Sequence, residues 1–347
     1  MQTINKKYLI SPVIDFLLIG GMAIFSYLVL VLVNFSINID IVFLMVILAF
    51  FVNSPHFMIS YIIFYKSAKY KLFRSKSFFI AGVLVPVVLL FFIFYGFVFI
   101  SKDVFYYLLL CMFFLVGWHY IKQAYGCFIV YSAGNQVYYN KFEQNIIKFS
   151  LYPLWIFSFL RLFTSEVNKE FWGFQYSVPA VLISFKNVME WMSVIGVLLF
   201  LVLLIHNIFF IKKKPNLTAL TSIVVIYIWL SPLLWDEIYF YMIPFFHSLQ
   251  YFLFSGAYTK NKIHDEKSGV RGWLIWWGSA FILGALFFDF IPNFLDGYFS
   301  IAPNITSHLF LISFVLFINI HHYFIDSVIW KGSNPDVRKY LKFKSIT

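Results

Sequence analysis

The sequence predicts an all-α fold, a polytopic integral membrane bundle of about ten transmembrane helices with the N- and C-termini in the cytoplasm. Of the 347 residues, 62% are hydrophobic and only 12% are charged, about half the charged share of an average soluble domain. The apolar residues form runs of the length that a bilayer-crossing helix needs, about 20 residues. This composition excludes a soluble enzyme and a disordered chain, and two cysteines provide no disulfide framework for a secreted scaffold.

Ten apolar runs are predicted to be transmembrane helices. In chain order they are 11–33, 41–65, 77–100, 104–131, 146–163, 188–211, 217–235, 238–257, 272–291 and 305–329. The first lacks a small-residue cleavage site and leads into another span, so it is a helix and not a signal peptide. The fifth is the shortest, and only Asp236 and Glu237 separate the seventh from the eighth. The chain is expected to form one transmembrane domain, 1–347, with short cytoplasmic tails at 1–10 and 331–347.

The positive charges are distributed unevenly between the two sides of this topology. With the N-terminus inside, 21 of the 26 Lys and Arg residues fall in cytoplasmic segments and four in outer segments, and Lys122 lies within a span. Such a bias is what the positive-inside rule describes. The net charge of +11 therefore follows from topology and calls for no nucleic acid partner. A multi-pass protein of a bacterial inner membrane is the expected location.

Four spans that run from outside to inside carry a histidine at similar depth: His56, His119, His247 and His322. Each lies roughly 13–20 Å from the predicted cytoplasmic boundary at 1.5 Å per residue. An ionisable residue inside a span is expensive and marks a functional site by default. We therefore predict that the four imidazoles share one polar site and ligate a metal. The adjacent His321 is a candidate fifth ligand, although it points about 100° away around the helix.

Each of these histidines has polar neighbours three or four residues away, on the same helical face. The neighbours are Asn53 and Ser60 for His56, Lys122 and Gln123 for His119, Gln250 and Tyr251 for His247, and Asn319 and Asp326 for His322. A ligating imidazole usually donates its second N–H to a carboxylate, amide or carbonyl. We predict that Asp326, Gln123 and Lys122 are the catalytic or supporting residues. Asp15, at a similar depth on the first span, is a further candidate carboxylate.

Imidazoles with carboxylates suit iron, copper or zinc. The two thiols, Cys111 and Cys127, show no ligand spacing. Several neutral histidines with one or two carboxylates leave open positions for dioxygen or water. An iron site of that kind inside a bilayer suits oxidation of a substrate dissolved there, such as an acyl chain, isoprenoid, carotenoid or sterol. The expected partners are membrane lipid and a hydrophobic small molecule.

This pattern resembles the polytopic, histidine-rich membrane non-haem iron oxygenases, and most of all the bacterial and archaeal membrane carotene-cleaving dioxygenases. The match lies in the placement of His56, His119, His247 and the His321–His322 pair within spans, and it is diffuse over the chain. The resemblance implies an all-helical protein with few loops and with iron-binding histidines inside transmembrane helices. The HxxxH and HxxHH boxes of desaturases and hydroxylases are absent, which argues against a standard desaturase.

Three other functions are compatible with the same residues. A proton-coupled permease or transporter would use the intramembrane His, Lys and Asp residues as a relay. A bis-histidine membrane cytochrome would bind haem between facing spans. A metal-free transferase would use His119 or His322 as a general base. Of the other histidines, His206 is interfacial or a further ligand, His308 is structural and His264 lies in a loop.

Overall fold

The protein is described by a computed structural model that covers residues 7–33, 41–163, 169–171, 173–176, 183–230, 237–299, 301, 305–332, 334–341 and 343–345. The prediction of an all-α fold is confirmed, because helices account for more than four fifths of these residues. The helices of the first half are α1 Pro12–Phe16, α2 Met22–Val33, α3 Ile41–Ala68, α4 Lys76–Phe79, α5 Val85–Val98, α6 Lys102–Gly134 and α7 Lys141–Phe163. Those of the second half are α8 Ile183–Phe209, α9 Leu217–Leu230, α10 Glu237–Asp265, α11 Gly269–Trp273, α12 Ser279–Ala285, α13 Ile291–Tyr298, α14 Leu309–Ile329 and α15 Pro335–Tyr340.

Short irregular elements join these helices. Three π-helical turns continue one helix into the next, at Ile80–Leu84, Leu274–Gly278 and Leu286–Phe290. The Leu17–Gly21 segment joins α1 to α2 through a kink at Gly20. The strands are β1 Lys7–Tyr8, β2 Lys169–Phe171, β3 Phe174–Tyr176 and β4 Lys344–Ser345. They form two antiparallel pairs, β1 with β4 and β2 with β3.

Six helical segments of the described chain are long and apolar enough to cross a membrane. They are Pro12–Val29, Lys76–Val98, Lys102–Gly134, Ser184–Phe209, Gly269–Tyr298 and Leu309–Ile329. Each coincides with one of the predicted runs. The other four runs lie in α3, α7, α9 and α10 as far as the described residues extend, so ten spans stay a prediction. Parts of the predicted runs and tails fall outside the described residues, namely 231–235, 1–6, 333, 342 and 346–347.

The four helices that carry the aligned histidines form the centre of the bundle. α14 packs against α3 and α6, and α10 packs against α3. The apolar window of α14 is 72% buried, whereas that of α8 is 17% buried. A helix buried on all sides presents every face to protein, so polar residues on α14 face other helices.

A proline explains why one backbone carbonyl near this centre is available. In the π-helical turn Ile80–Leu84, the Val85 N–H donates to the Ile80 carbonyl. The next residue, Pro86, has no N–H to offer. The Ala81 carbonyl therefore lacks both of its ordinary helical donors and needs a side-chain partner.

Gly196 allows α8 to lie directly on α7. A Cβ atom at this position would collide with the backbone carbonyl of Ser150, and the backbone cannot move aside as a flexible side chain would. We expect Gly196→Ala to destabilise the protein by about 1–3 kcal/mol, the usual cost of overpacking, measured as a lower melting temperature in detergent. Gly126→Ala on α6 is the matched control, because a Cβ atom there meets nothing within 4 Å. It should be neutral or stabilising, since alanine favours a helix over glycine, and equal losses in both variants would contradict this explanation.

Both described ends of the chain lie together at one end of the bundle. The N-terminal β1 pairs with the C-terminal β4, Lys7 opposite Ser345. The C-terminal α15 is tied to the end of α10, where Asn261 Nδ2 donates to the Tyr340 carbonyl at 2.7 Å and Lys339 Nζ lies 2.8 Å from Asp265 Oδ2. The described part of the C-terminal tail is thus packed against the end of α10, and the described part of the N-terminal tail pairs with it.

Candidate metal centre

The four aligned histidines meet in one ring of imidazoles at the centre of the bundle. His56, His247, His119 and His322 follow one another around this ring, and neighbouring ring centroids are 4.6–5.1 Å apart with interplanar angles of 68–89°. Their exposed fractions are 1%, 2%, 4% and 0%. One ligand nitrogen from each lies within 4.8 Å of the others. The prediction that these four share a site is confirmed.

The nitrogen separations fit ligands of a single ion. Metal–nitrogen bonds of about 2.0–2.1 Å place adjacent ligand atoms about 3.0–3.4 Å apart and opposite ones about 4.2 Å apart. His119 Nε2 and His247 Nε2 are 3.1 Å apart, an adjacent-ligand distance. A spread of at most 4.8 Å over the whole set requires only a small contraction to close on an ion.

The surroundings of His56 direct one lone pair into the centre. Its Nδ1 lies 3.3 Å from Asn53 Oδ1 and 3.1 Å from Ser248 Oγ. The amide oxygen of Asn53 only accepts, so Nδ1 carries the hydrogen and Nε2 carries the free lone pair. His56 Nε2 is buried and has no hydrogen-bond partner among the described residues. A hydrogen bond from the ring nitrogen that faces away from the ion is what orients metal-ligating histidines.

Several further polar atoms of the centre are buried without a hydrogen-bond partner among the described residues. They are His247 Nδ1, both ring nitrogens of His322 and Asp326 Oδ2. Buried polar atoms are nearly always satisfied, and an exception calls for an explanation such as an ion. Orphaned nitrogens on converging imidazoles are donors that fit a transition metal.

Two of the predicted supporting residues lie beside this ring. Asp326 Oδ2 is 3.3 Å from His322 Nε2 and 3.8 Å from His119 Nε2. Gln123 Nε2 donates to the His247 backbone carbonyl at 3.1 Å and to Gln250 Oε1 at 3.0 Å. Asp326 therefore touches the centre, whereas Gln123 ties α6 to α10 behind it.

Two other predicted residues do not reach the ring. The Lys122 side chain is exposed, and its ammonium lies 5.0 Å over the Trp118 ring, one turn earlier on α6. Asp15 is buried at the start of α1, where its oxygens accept hydrogen bonds from three backbone N–H groups at 2.7–3.2 Å and from Tyr131 OH at 2.8 Å. The distance counted along the chain placed Asp15 too deep, because the segment that precedes it folds back over its carboxylate.

His321 is also outside the ring, because both of its nitrogens bond elsewhere. Its Nε2 is 2.8 Å from the Ala81 carbonyl that Pro86 leaves without a helical donor. A carbonyl only accepts, so Nε2 carries the hydrogen and Nδ1 accepts from Tyr61 OH at 2.9 Å. The expectation of a fifth imidazole ligand is therefore wrong. His321 precedes His322 on α14 and lies about 100° from it around the helix axis, so its side chain faces the π-helical turn Ile80–Leu84 and not the imidazole ring.

The remaining histidines and cysteines of the described chain lie apart from the centre. His206, His264 and His308 are exposed, and the His206 ring stacks on Phe210. His264 lies in the last turn of α10, so the prediction of a loop at this residue is wrong. Cys111 is exposed and Cys127 is buried, and neither joins the histidine group.

Sequence reasoning missed part of the support around the ring. The sequence does not indicate a role for Ser248, because a serine next to a histidine gives no signal of the contact that its hydroxyl makes with His56 on another helix. Ser60 and Tyr251 were named as neighbours of His56 and His247, but their hydroxyls approach Asp326 on α14. Ser60, Tyr251 and Asp326 come from three different helices. Helical spacing indicates only which residues of one helix share a face.

The fold and this site define a class, a helical membrane protein with a buried four-histidine centre. Comparison with family models, with curated proteins and with solved structures finds no match to this chain. The chemistry of the site therefore carries the functional argument.

Proposed function

We propose that this protein is a multi-pass membrane oxidoreductase that holds non-haem iron in its four-histidine centre and acts on a lipid-soluble substrate. The observation that carries the proposal is the ring of His56, His119, His247 and His322, with nitrogens within 4.8 Å of one another inside an apolar bundle. When bound, a ferrous ion would supply the one-electron chemistry that lets dioxygen react with an organic substrate. The protein's own residues hold the ion and keep bulk water away.

The position of the centre favours a substrate that is dissolved in the bilayer. Its four helices include two of the segments long enough to cross a membrane, α6 and α14. Aromatic rings line the centre. The centroid-to-centroid distances are 4.6 Å for Phe57 and His322, 4.4 Å for Tyr251 and His56, and 4.5 Å for Tyr120 and His247. Carotenoids, isoprenoids and acyl chains are the substrate classes that suit such surroundings.

The alternative functions receive less support from the same geometry. A haem macrocycle needs wide apolar space between its axial ligands, whereas neighbouring imidazoles here are within 5.1 Å. A permease relay would have used Lys122, which is exposed and turned toward Trp118. A metal-free transferase with one histidine as general base leaves the unpartnered Nε2 of His56 without a role.

We further propose that the protein resides in a bacterial inner membrane with ten spans and that the end bearing both tails faces the cytoplasm. The positive-inside bias supports this orientation, and the pairing of β1 with β4 supports placing both tails on one side.

The test is metal analysis of protein purified in detergent without chelators, combined with an optical spectrum. We expect about one iron per chain and no Soret band. A Soret band would instead establish haem. Protein that binds no transition metal, even after anaerobic incubation with Fe(II), would reject the proposal.

A second measurement addresses the substrate class. Iron-loaded protein should consume dioxygen when β-carotene is supplied in mixed micelles, without an added reductant. Addition of dioxygen across one C=C bond yields two carbonyl compounds, so the substrate itself provides all the electrons. Uptake that depends on an added reductant would point to hydroxylation or desaturation of an acyl chain instead.

A further inference from the structure

Asp326 has two carboxylate oxygens with different surroundings. Oδ1 accepts a hydrogen bond from Ser60 Oγ at 2.9 Å and one from Tyr251 OH at 3.4 Å. The Ser60 and Tyr251 hydroxyls are also in contact with each other. Oδ2 is buried and has no hydrogen-bond partner among the described residues. One oxygen is thus held from outside the ring and the other is directed toward it.

The unpartnered oxygen lies beside two of the four imidazoles, just outside the set of ligand atoms that are all within 4.8 Å of one another. Asp326 Oδ2 is 3.3 Å from His322 Nε2 and 3.8 Å from His119 Nε2. Adjacent ligands of one ion are about 3.0–3.4 Å apart and opposite ligands about 4.2 Å. Both distances fall within the range set by a shared ion.

The competing explanation is that Asp326 only accepts a hydrogen bond from a ligating histidine and does not touch the ion. In that arrangement His322 would bind the ion through Nδ1 and donate its Nε2–H to the carboxylate. However, His322 Nε2 and Asp326 Oδ2 are 3.3 Å apart and each still lacks a hydrogen-bond partner, so the N–H does not point at the oxygen. With the imidazole hydrogen on Nδ1, His322 Nε2 and Asp326 Oδ2 would each have a lone pair available to one ion.

We propose that Asp326 is the fifth ligand of the metal centre and that Ser60 and Tyr251 are its positioning residues. This inference rests on the proposed four-histidine centre and adds an anionic ligand to it. One carboxylate offsets part of the charge of a divalent ion in an apolar site. Five ligands from the chain exceed the four of a tetrahedral structural zinc site and leave one octahedral position for a substrate or dioxygen, which favours iron or manganese.

The positioning role follows from where Ser60 and Tyr251 lie. Ser60 is on α3 and Tyr251 on α10, and both are buried. They bind the same oxygen from two helices, so the carboxylate of α14 cannot rotate without losing both contacts. A carboxylate held in this way is preorganised for the ion, as ligating carboxylates are when hydrogen-bonded from behind.

The test uses Co(II) as a spectroscopic probe added to metal-free protein, because its visible bands are intense in four-coordinate sites and weaken as the coordination number rises. We expect Asp326→Asn to lower Co(II) affinity by about 10–100-fold and to strengthen the visible bands. Tyr251→Phe and Ser60→Ala should each lower the affinity about 10-fold while the weaker bands of the wild type persist.

Tyr323→Phe is the matched control for Tyr251→Phe. Tyr323 is buried beside the ring of imidazoles, and its ring centroid is 4.9 Å from that of His119. Its hydroxyl, however, donates to Asn319 Oδ1. Removal of the Tyr323 hydroxyl should leave the Co(II) affinity and the visible spectrum unchanged. Wild-type affinity and spectrum in both Asp326→Asn and Tyr251→Phe would overturn the fifth-ligand assignment while the four-histidine centre stands. Wild-type protein that takes up no Co(II) at all would overturn the centre itself.

Discussion

Protein with His322→Ala should be recovered from the membrane without bound metal, whereas protein with His321→Ala should keep its metal. His322 closes the imidazole ring between His56 and His119, so its loss removes one ligand and opens the centre. His321 has the same side chain at the next position of α14, and both of its nitrogens are bonded outside the ring. The measurement is the metal-to-protein ratio after purification and reconstitution with Fe(II).

The variant that loses its metal should be the more stable of the two when both are compared without metal. Removing His321 leaves the Ala81 carbonyl and the Tyr61 hydroxyl without their partners, at a cost of about 1–3 kcal/mol for each buried group. Apo protein with His322→Ala should therefore melt above apo protein with His321→Ala. Loss of metal in both variants, or in neither, would contradict the assignment of His322, and not of His321, to the centre.

Asp15→Ala should be among the most destabilising single substitutions at the tail-bearing end of the bundle, where Asp15 is fully buried, and it should not alter the metal content. The carboxylate accepts four hydrogen bonds, from the backbone N–H groups of residues 9–11 and from Tyr131 OH. Hydrogen bonds to a charged group contribute about 1.5–3 kcal/mol each, and they are not additive. We expect a loss of at least about 3 kcal/mol, seen as a lower melting temperature and earlier proteolysis of the N-terminal segment.

Asp289→Ala is the control for this substitution. Asp289 is only partly buried and accepts a hydrogen bond from Asn293, one helical turn away, so its removal should cost less than about 1 kcal/mol. If Asp15→Ala lost metal while it retained its stability, Asp15 would belong to the centre after all, as its sequence position suggested.

Much of the fold could be predicted because a bilayer constrains a chain in one dimension. A span needs a minimum number of apolar residues, and each residue advances a helix by a constant rise. Run length therefore indicated helices, and distance along a run indicated depth. The same arithmetic predicted that His56, His119, His247 and His322 lie in one layer, and the structure brings them into one ring.

Rotation about a helix axis and local backbone breaks were harder to predict. Lys122 and His119 are three residues apart and share an approximate face, yet one is exposed and the other is buried, because a long flexible side chain can leave the bundle while an imidazole cannot. His321 is turned toward a carbonyl that a proline in another helix leaves free. Neither outcome can be read from the spacing within α6 or α14.

The amino-acid sequence alone was enough to establish a helical, membrane-compatible chain and to select four histidines at one depth, since both depend on composition and on distance along single helices. The tertiary structure decided which helices are neighbours. It thereby joined Ser60, Tyr251 and Asp326 from three helices, excluded His321 from the ring and assigned Asp15 to the chain terminus. Contacts between helices depend on how whole surfaces pack in three dimensions, and no period within one helix encodes its partner.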